Sequence, residues 1–285
     1  MQYGPYRTLN VIHSGQTSRV LEAVRDDDPT RVALKTLRPE KTDKEQIAFL
    51  RHEHMVGGKL DHPQLVKVLD FGESKEGPYL VMDLFRVPNL KQLILQGVDK
   101  LAPGASNIIE QAASALACFS RSGWIHRDIK PDNFLVSPEG EVKLIDFALA
   151  QKPKRGLSRM LARKAMIQGT PSYISPEQIR GKVLDVRTDV YSFGCSVYLL
   201  LCGKSPYTGM NVNELLTKHL RSAPPLLQSQ NTNVTTDFSE LVRRMLAKKP
   251  ENRPTIDEIC QQLRVTAVFK KTPKPPGEEE EEEFT

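Results

Sequence analysis

The sequence predicts an α+β protein with a strand-rich N-terminal lobe and a larger helical C-terminal lobe. A chain of 285 residues is too long for a single small core and suits two lobes. Short apolar stretches separated by turn residues fill the first eighty-odd residues, which is typical of strands. From Asn89 onward, apolar residues instead recur at helical spacing. We therefore expect lobes over residues 1–87 and 88–268, followed by a tail over 269–285.

The N-terminal lobe is expected to hold five strands and one helix. Turn residues such as Gly15, Pro29 and Gly77 separate the strand candidates. The predicted strands cover residues 7–13, 19–25, 31–37, 65–72 and 79–83, and the predicted helix covers 44–60.

The C-terminal lobe is expected to hold helices at residues 106–122, 185–201, 212–220, 237–247 and 255–265. The longest apolar run, 190–202, is shorter than the ~20 residues of a membrane span, which favours a buried core helix. Prolines and six glutamates at 278–283 leave the tail too few apolar residues to offset the entropy of ordering. The tail is therefore predicted to be disordered.

Composition argues against several classes of protein. No N-terminal stretch combines a basic start with an apolar run, so no signal peptide is expected. The four cysteines are scattered without a CxxC pair, which favours small apolar residues in a reducing compartment. A net charge of +5 by itself says little about nucleic acid. Nucleic-acid binding by the basic loop between Phe147 and Pro176 is a third alternative, but that loop lacks the interleaved aromatics that stack bases. We expect a cytoplasmic protein without a membrane span and without a nucleic-acid partner.

The most informative motif is the run His-Arg-Asp-Ile-Lys-Pro-Asp-Asn at 126–133, followed after a strand-like stretch by Asp146-Phe147. This spacing suits phosphoryl transfer. A carboxylate (Asp128) would face the acceptor hydroxyl and a lysine (Lys130) would cover developing charge, while Asn133 and Asp146 hold divalent cations between phosphates. The tripeptide alone would be weak evidence, but the whole run with a correctly spaced Asp-Phe is specific.

A second pair of residues supports the same chemistry. Lys35 ends the predicted strand Val-Ala-Leu-Lys, and Glu53 lies on the helix that follows. Taken singly, each residue would be an ordinary solvated surface residue. As a pair, Glu53 would hold the ammonium of Lys35 toward nucleotide phosphates.

Together these residues resemble a protein kinase catalytic domain, similar to the eukaryotic-like serine/threonine kinases of bacteria. The resemblance covers roughly residues 6–265. Its further landmarks appear in order at Val20, residues 79–83, Gly169-Thr170-Pro171, Ser175-Pro176-Glu177, Asp189 and Arg253. It implies a bilobal fold with a small antiparallel sheet, ATP and Mg²⁺ as cofactors, and protein substrates with Ser or Thr acceptors.

The resemblance also implies residue roles. Lys35 would grip the α- and β-phosphates, Asp128 would take the acceptor proton, and Lys130 would stabilise the transferred group. Metal ligands would be Asn133 and Asp146. The nucleotide pocket would be formed by Ile12, Gly15, Val20, Ala33 and Leu135, with Met82 as gatekeeper and backbone groups of Asp83 and Phe85 at the adenine edge. His126 would be a packed residue, and Glu177 and Arg253 a buried ion pair.

Three departures from the family pattern leave questions open. The nucleotide-covering loop at 13–20 keeps only the middle glycine, Gly15, from which we expect weaker nucleotide binding. Ala148 replaces the glycine after Asp146-Phe147, which would bias that segment because alanine disfavours positive φ. Gly57 and Gly58 in the predicted helix indicate either a mobile helix that needs a partner to hold it inward, or close packing of that helix against the other lobe.

The stretch between Phe147 and Pro176 is basic and contains no acidic residue. It is either a solvated loop or an attractor for an acidic partner, for a phosphate or for the glutamate tail. Ser158 is the only hydroxyl between Phe147 and Gly169 and is our predicted phosphosite, with Arg127 as its anchoring cation. Asp132 in the catalytic loop would favour basic substrates.

The predicted function is an ATP- and magnesium-dependent protein serine/threonine kinase that also phosphorylates itself through self-association. The alternative is a pseudokinase, a nucleotide-binding scaffold in which the altered loop and Ala148 have let catalysis lapse. Retention of Asp128 and Asp146 argues against a scaffold, which has no physical need for them.

Overall fold

The computed structural model describes residues 1–153 and 169–276, and its first unit is built around a six-stranded antiparallel sheet. The strands are β1 (Gln2–Tyr3), β2 (Tyr6–Ser14), β3 (Ser18–Arg25), β4 (Asp28–Leu37), β5 (Val68–Ser74) and β6 (Gly77–Asp83). Their order in the sheet is β1-β2-β3-β4-β6-β5. All five predicted strands are present, and β1 is additional.

Strand register decides which side chains share a face of this sheet. Val20 pairs with Lys35, and Ala33 pairs with Met82. Directly opposed residues of antiparallel strands point to the same side, so these four side chains lie on one face. The opposite face carries a buried cluster made of Tyr3, Tyr6, Leu21, Ala23, Val32, Leu34, Tyr79 and Val81.

The helix of the first unit is α1 (Lys44–Gly57). Asp43 caps it by accepting a hydrogen bond from the Gln46 backbone N–H at 2.9 Å. The helix ends three residues before the predicted position, at the Gly57-Gly58 pair. Its buried side presents Leu50, Val56 and Gly57 together with the carboxylate of Glu53.

Residues Lys143–Ala150 pack with the first unit, which otherwise comprises Met1–Val87. The Leu144 N–H donates to the Gln64 carbonyl at 2.8 Å, and the Val66 N–H donates to the Leu144 carbonyl at 3.0 Å. These backbone hydrogen bonds hold the segment that contains Asp146 beside the start of β5.

The second unit is helical. Its helices are α2 (Leu90–Leu95), α3 (Val98–Leu101), α4 (Ala105–Arg121), α5 (Pro176–Ile179), α6 (Arg187–Cys202), α7 (Val212–Arg221), α8 (Thr236–Met245) and α9 (Ile256–Leu263). Two short strands, β7 (Phe134–Val136) and β8 (Val142–Leu144), follow the catalytic loop. The five predicted helices are all present, and the apolar run at 190–202 forms the core helix α6, as expected. The predicted α+β class is confirmed.

Helix α6 is buried along almost its whole length, and α8 packs on it while α9 packs on α4. Within residues 1–153 and 169–276, no helix is both long and apolar enough to cross a membrane. The four cysteines, all among the residues that the structure describes, form no disulfide bond.

Residues at the start of the predicted tail are fixed to the second unit. The Lys270 N–H donates to the Asn233 carbonyl at 2.7 Å, and the Asn233 side-chain amide donates to the Lys271 carbonyl at 2.8 Å. Disorder was expected from residue 269, but these hydrogen bonds order the chain as far as Lys271. The six glutamates lie outside the described residues.

Candidate active site

Lys35, Glu53 and Asp146 come together in the first unit. The Lys35 Nζ lies 2.7 Å from Glu53 Oε2 and 3.0 Å from Asp146 Oδ1. Lys35 is near the end of the central strand β4, Glu53 is on the buried side of α1, and Asp146 follows β8. Three separate elements therefore place one ammonium between two carboxylates, as the sequence predicted for Lys35 and Glu53.

Electrostatics keep the lysine charged. Burial alone would lower the pKa of Lys35, but the neighbouring charges of Asp146 and Glu53 outweigh it and raise this pKa. Burial raises the pKa of Glu53 to about 7, while the ammonium of Lys35 acts in the opposite direction. Asp146 is the most accessible of the three, with 39% of its side chain exposed. The arrangement presents a fixed cation beside an accessible carboxylate.

The backbone at Asp146 has a positive φ of 67°, which is unusual for a residue other than glycine. Ala148, two residues later, does not have a positive φ. Alanine tolerates this backbone, so Ala148 is unstrained in this conformation. The bias expected from alanine at this position stays a prediction. The Asp146 side chain itself accepts a long hydrogen bond of 3.5 Å from the Ala148 N–H.

Phe147 is fully buried, and its ring lies against Gly57 of α1. A Cβ atom at Gly57 would approach Val68 Cγ2 to 2.3 Å and the Phe147 ring to 3.1 Å. Gly57 is thus closely packed, and its packing partners belong to the first unit, to β5 and to the Asp146 segment. Packing against the other lobe, one of the two interpretations, stays a prediction.

His52 provides a further link between α1 and this segment. One of its ring nitrogens lies 2.6 Å from the Ala150 carbonyl oxygen. His52 directly precedes Glu53, so the same turn of helix holds both Lys35 and the chain that follows Asp146.

The glycine-poor loop between β2 and β3 is fixed by Arg38. The Gly15 N–H donates to the Ser18 carbonyl at 2.9 Å and closes the turn. Arg38 Nε donates to the Gly15 carbonyl at 2.7 Å, and its Nη2 donates to Ser14 Oγ at 2.9 Å. The loop thus has specific hydrogen bonds at its tip despite the missing glycines.

In the second unit, Asp128 lies among three polar partners. Lys130 Nζ is 2.6 Å from Asp128 Oδ2, and Thr170 Oγ1 donates to Asp128 Oδ1 at 3.2 Å. Lys130 also donates to the Thr170 hydroxyl at 3.0 Å. The Asn133 side-chain amide donates to the Asp128 carbonyl at 2.8 Å, which fixes its orientation. The predicted catalytic run therefore forms one hydrogen-bonded group.

Arg127 is the second non-glycine residue with a positive φ, at 73°. The carboxylate of Asp189 accepts the backbone N–H groups of His126 at 2.7 Å and Arg127 at 2.8 Å. On the other side, Gln178 Nε2 donates to the Arg127 carbonyl at 3.0 Å. Burial raises the pKa of Asp189 to about 7, although its two N–H donors oppose that shift. These contacts hold the strained peptide in place.

The predicted ion pair of Glu177 and Arg253 is present and buried. Arg253 makes two parallel hydrogen bonds to Glu177, at 2.7 and 2.8 Å. Thr188 Oγ1 donates to the same carboxylate at 3.0 Å, and the guanidinium lies 4.8 Å from the Tyr191 ring centroid. Helix α5, which follows the basic stretch between Phe147 and Pro176, is thereby attached to the core of the second unit.

The residues predicted to contact adenine divide between the two units. Val20, Ala33 and Met82 share the sheet face that carries Lys35. Ile12 lies at a register irregularity of β2, so pairing does not set its face. Leu135 belongs to β7 in the second unit. Asp83 is the last residue of β6 and Phe85 follows that strand, and the Asp83 N–H donates to the Lys67 carbonyl at 3.0 Å.

Several predicted features lie outside the described residues. These are Ser158, most of the basic stretch (Lys154, Arg155, Arg159, Arg163 and Lys164) and the glutamate tail. The hypotheses attached to them stay predictions. Lys152 is described, and its ammonium lies 5.4 Å from the centroid of the Trp124 ring.

Sequence reasoning missed His52 and Gln178, and it gave Thr170 no contact with Asp128. A local signal existed for Gln178, because Ser175-Pro-Glu-Gln is a capping box in which Ser175 and Gln178 bond each other's backbone N–H. No local pattern marks His52, whose partner is 98 residues away.

Comparison with known proteins agrees with this geometry. The family model described as the protein kinase domain matches residues 6–263, and the chain belongs to that family. It is 34% identical over 256 residues to the serine/threonine-protein kinase PknA of Mycobacterium tuberculosis, a match that covers 88% of this chain and 58% of PknA. The predicted resemblance to bacterial serine/threonine kinases and the predicted kinase fold are confirmed.

Two further relatives give the same result. PknA of Corynebacterium glutamicum is 31% identical, over 95% of this chain and 58% of that protein. PrkC of Bacillus subtilis is 32% identical, over 88% of this chain and 38% of that protein. The chain thus matches little more than half the length of the two PknA proteins.

Proposed function

We propose that this chain is an active protein serine/threonine kinase that transfers the γ-phosphoryl group of ATP to Ser and Thr hydroxyls of proteins, including further copies of itself. The observation that carries the proposal is the placement of Lys35 Nζ at 2.7 Å from Glu53 and 3.0 Å from Asp146. A kinase needs this lysine–glutamate pair and the metal-binding aspartate in place together.

The second unit supplies the groups for the acceptor. Asp128 orients the acceptor hydroxyl and takes its proton as the oxygen bonds to phosphorus and ADP leaves. Lys130 lies between Asp128 and Thr170 and stabilises the transferred group. The lysine two residues after Asp128, together with Thr170, supports Ser and Thr as acceptors.

The chain's donors fit magnesium and ATP. Asn133 and Asp146 offer the oxygen ligands that Mg²⁺ prefers, and Asp146 is accessible while Asn133 is oriented by the Asp128 carbonyl. When bound, Mg²⁺ neutralises phosphate charge. Lys35 would bind the α- and β-phosphates, and Val20, Ala33, Met82 and Leu135 would enclose adenine.

Neither Ala148 nor the glycine-poor loop at 13–20 contradicts activity. Ala148 adopts a backbone that alanine tolerates, and Arg38 fixes the tip of the glycine-poor loop. Both observations weaken the reasons for a pseudokinase. The lobe boundaries at 87/88 and 268/269 stay predictions, as does a cytoplasmic location, which goes with the requirement for ATP.

Intact-mass spectrometry tests the proposal. Dephosphorylated protein is incubated with Mg²⁺-ATP and a generic basic protein acceptor, beside Lys35→Met and Asp146→Asn variants. We expect 80 Da increments (one phosphoryl group each) on the chain or the acceptor with the parent only. No increment, with ATP still raising the melting temperature, would contradict the proposal and indicate a nucleotide-binding scaffold.

A further inference from the structure

A buried carboxylate outside the catalytic set lies in the sheet of the first unit. Glu22 of β3 is only 1% exposed. It accepts hydrogen bonds from Arg31 Nη1 at 2.5 Å, Arg86 Nη1 at 2.9 Å and Asn10 Nδ2 at 3.0 Å. Buried charges occur in proteins when they are ion-paired and hydrogen-bonded. Glu22 has two arginines as ion-pair partners and an asparagine amide as a further hydrogen-bond donor.

The strand pairing of the sheet places Glu22 beside residues that are predicted to contact adenine. Glu22 pairs with Asn10 on β2 and with Ala33 on β4, and Ala33 in turn pairs with Met82 on β6. These four residues form one row across the sheet. The neighbouring row of Val20, Lys35 and Leu80 lies on the same face, because residues two apart on a strand point to the same side.

Arg86 belongs to the segment 83–87, which begins at the last residue of β6 and includes Phe85. The backbone of Phe85 is predicted to bond adenine. This segment is fixed near its start by the Asp83 N–H bond to Lys67. Lys143 Nζ lies 5.1 Å from the centroid of the Phe85 ring. The Glu22–Arg86 contact joins the residue after Phe85 to β3, 64 positions earlier in the chain.

We propose that Glu22 is a positioning residue for nucleotide binding, which holds the segment 83–87 through Arg86 so that its backbone meets the adenine edge. This inference rests on the proposed function and deepens it. Arg31 binds the same carboxylate from β4, a strand already paired with β3 along its length. Arg31 therefore serves as a matched control for Arg86. It has the same charge and binds the same carboxylate, but it lies on β4 and not in the segment 83–87.

Binding of ATP and adenosine to purified variants tests the role, with calorimetry as the measurement. Glu22→Gln and Arg86→Gln should raise the Kd by roughly fivefold to tenfold, because apparent affinity falls with the fraction of molecules in the competent arrangement. The rise should be equal for ATP and uncharged adenosine. In a kinase assay, KM for ATP should rise while kcat stays near the parent value.

Charge and position predict opposite results for Glu22→Gln. Removing a negative charge beside two arginines should tighten binding of the ATP polyanion if Glu22 acted by charge alone. Tighter or unchanged ATP binding in Arg86→Gln and Glu22→Gln would overturn the proposal. So would a loss in Arg31→Gln equal to that in Arg86→Gln, because the effect would then belong to the sheet as a whole.

Two further variants complete the test. Arg86→Lys keeps a cation beside Glu22 and should recover most of the adenosine affinity that Arg86→Gln loses. No recovery for either ATP or adenosine would count against a role for the Glu22–Arg86 ion pair. Arg86 is more than half exposed, so its variants test the proposal even if Glu22→Gln does not fold. A parent protein that binds adenosine but transfers no phosphoryl group would contradict only the proposed kinase activity. The comparison of nucleotide binding between the parent and its variants would still test the role of Glu22.

Discussion

The two strained residues of the candidate site are Arg127 and Asp146, with φ of 73° and 67°. Such a backbone costs about 1–3 kcal/mol per residue and persists only where its surroundings fix it. Asp189 and Gln178 hold the Arg127 peptide from both sides, and Lys35 holds the Asp146 carboxylate. Arg127 directly precedes the proposed base Asp128, and Asp146 is itself a proposed metal ligand. Backbone strain at these two residues is consistent with a preorganised site.

The conformation at Ala148 leads to a prediction about the missing glycine. Because Ala148 has no positive φ, Ala148→Gly removes no strain and adds freedom to the unfolded chain. We expect stability to fall by about 0.4–1 kcal/mol in urea unfolding, with the phosphorylation rate within twofold of the parent. A rate increase of tenfold would show that alanine does restrain this segment.

The buried Glu177–Arg253 pair should contribute far more to stability than an exposed pair. Arg253→Met leaves the Glu177 carboxylate buried without its bidentate partner, which typically costs about 3–5 kcal/mol. The control is Arg243→Met, which breaks an exposed pair with Glu240 on α8 and should cost less than about 1 kcal/mol. Equal shifts of the urea midpoint would contradict this account of α5 attachment.

His219 should make stability depend on pH in a defined window. Nδ1 of its fully buried ring lies 2.9 Å from the Tyr191 hydroxyl oxygen, and burial, with the charge of Lys248, lowers the pKa of His219 to about 4. The unfolded ring has a pKa near 6.5, so the unfolded state binds the proton first as pH falls. The contribution of neutral His219 to the free energy of unfolding is therefore fully present above pH 6.5. It falls by about 3 kcal/mol as the pH is lowered to 4.

The measurement compares unfolding free energies of the parent and His219→Gln at pH 7 and pH 4. Gln keeps a polar side chain but does not titrate. The parent should lose about 3 kcal/mol more than the variant over this range. Parallel pH profiles would mean that the buried ring is not the source of the dependence.

At the scale of elements, helix α1 connects the sheet to the Asp146 segment. Glu53 binds Lys35, His52 binds the Ala150 carbonyl, and Gly57 lies against Val68 and Phe147. Two successive turns of one helix, at His52-Glu53 and at Gly57, therefore contact parts of the candidate site. A displacement of α1 should affect activity more than stability.

Gly57 and Gly58 provide a matched test of this arrangement. Gly57→Ala places a methyl group 2.3 Å from Val68 Cγ2, which should cost about 1–3 kcal/mol and move α1. We expect kcat/KM to fall by about tenfold or more, since misplacement near 1 Å has large effects on catalysis. Adding Val68→Ala should restore part of this loss by providing space.

The neighbouring exposed glycine is the control. A Cβ at Gly58 would meet only the His54 carbonyl at 3.1 Å, and its φ of −66° suits alanine. Gly58→Ala should leave stability within about 0.5 kcal/mol of the parent and activity unchanged. If Gly57→Ala behaved in the same way, close packing would not explain the glycine.

The sequence predicted every long element, because helical and strand periodicities are local signals. The positions of α1 and α6 came from such patterns. It missed β1, α2, α3 and α5, each of which spans only two to six residues and so carries little periodic signal. It also assigned residues 143–150 to the C-terminal lobe, whereas backbone bonds from Gln64 and Val66 pack them with the first unit.

At the scale of the whole molecule, the groups proposed for catalysis were easier to select from the sequence than the contacts that hold them. The run at 126–133 selects Asp128, Lys130 and Asn133, since phosphoryl transfer suits those residue types at that spacing, and their catalytic roles stay predictions. The support from Asp189, Gln178 and His52 comes from contacts 51 to 98 residues apart, which no local pattern reports. The buried Glu22 was missed for the same reason.

The central claim is that the chain catalyses phosphoryl transfer with Asp128 as the group facing the acceptor. The most direct measurement is the single-turnover rate of phosphoryl transfer from Mg²⁺-ATP to a basic protein acceptor, for the parent and for Asp128→Asn. We predict a measurable rate in the parent and a loss of at least about 100-fold in the variant, with ATP affinity unchanged. Equal rates, or no transfer by a parent that binds ATP, would contradict the account.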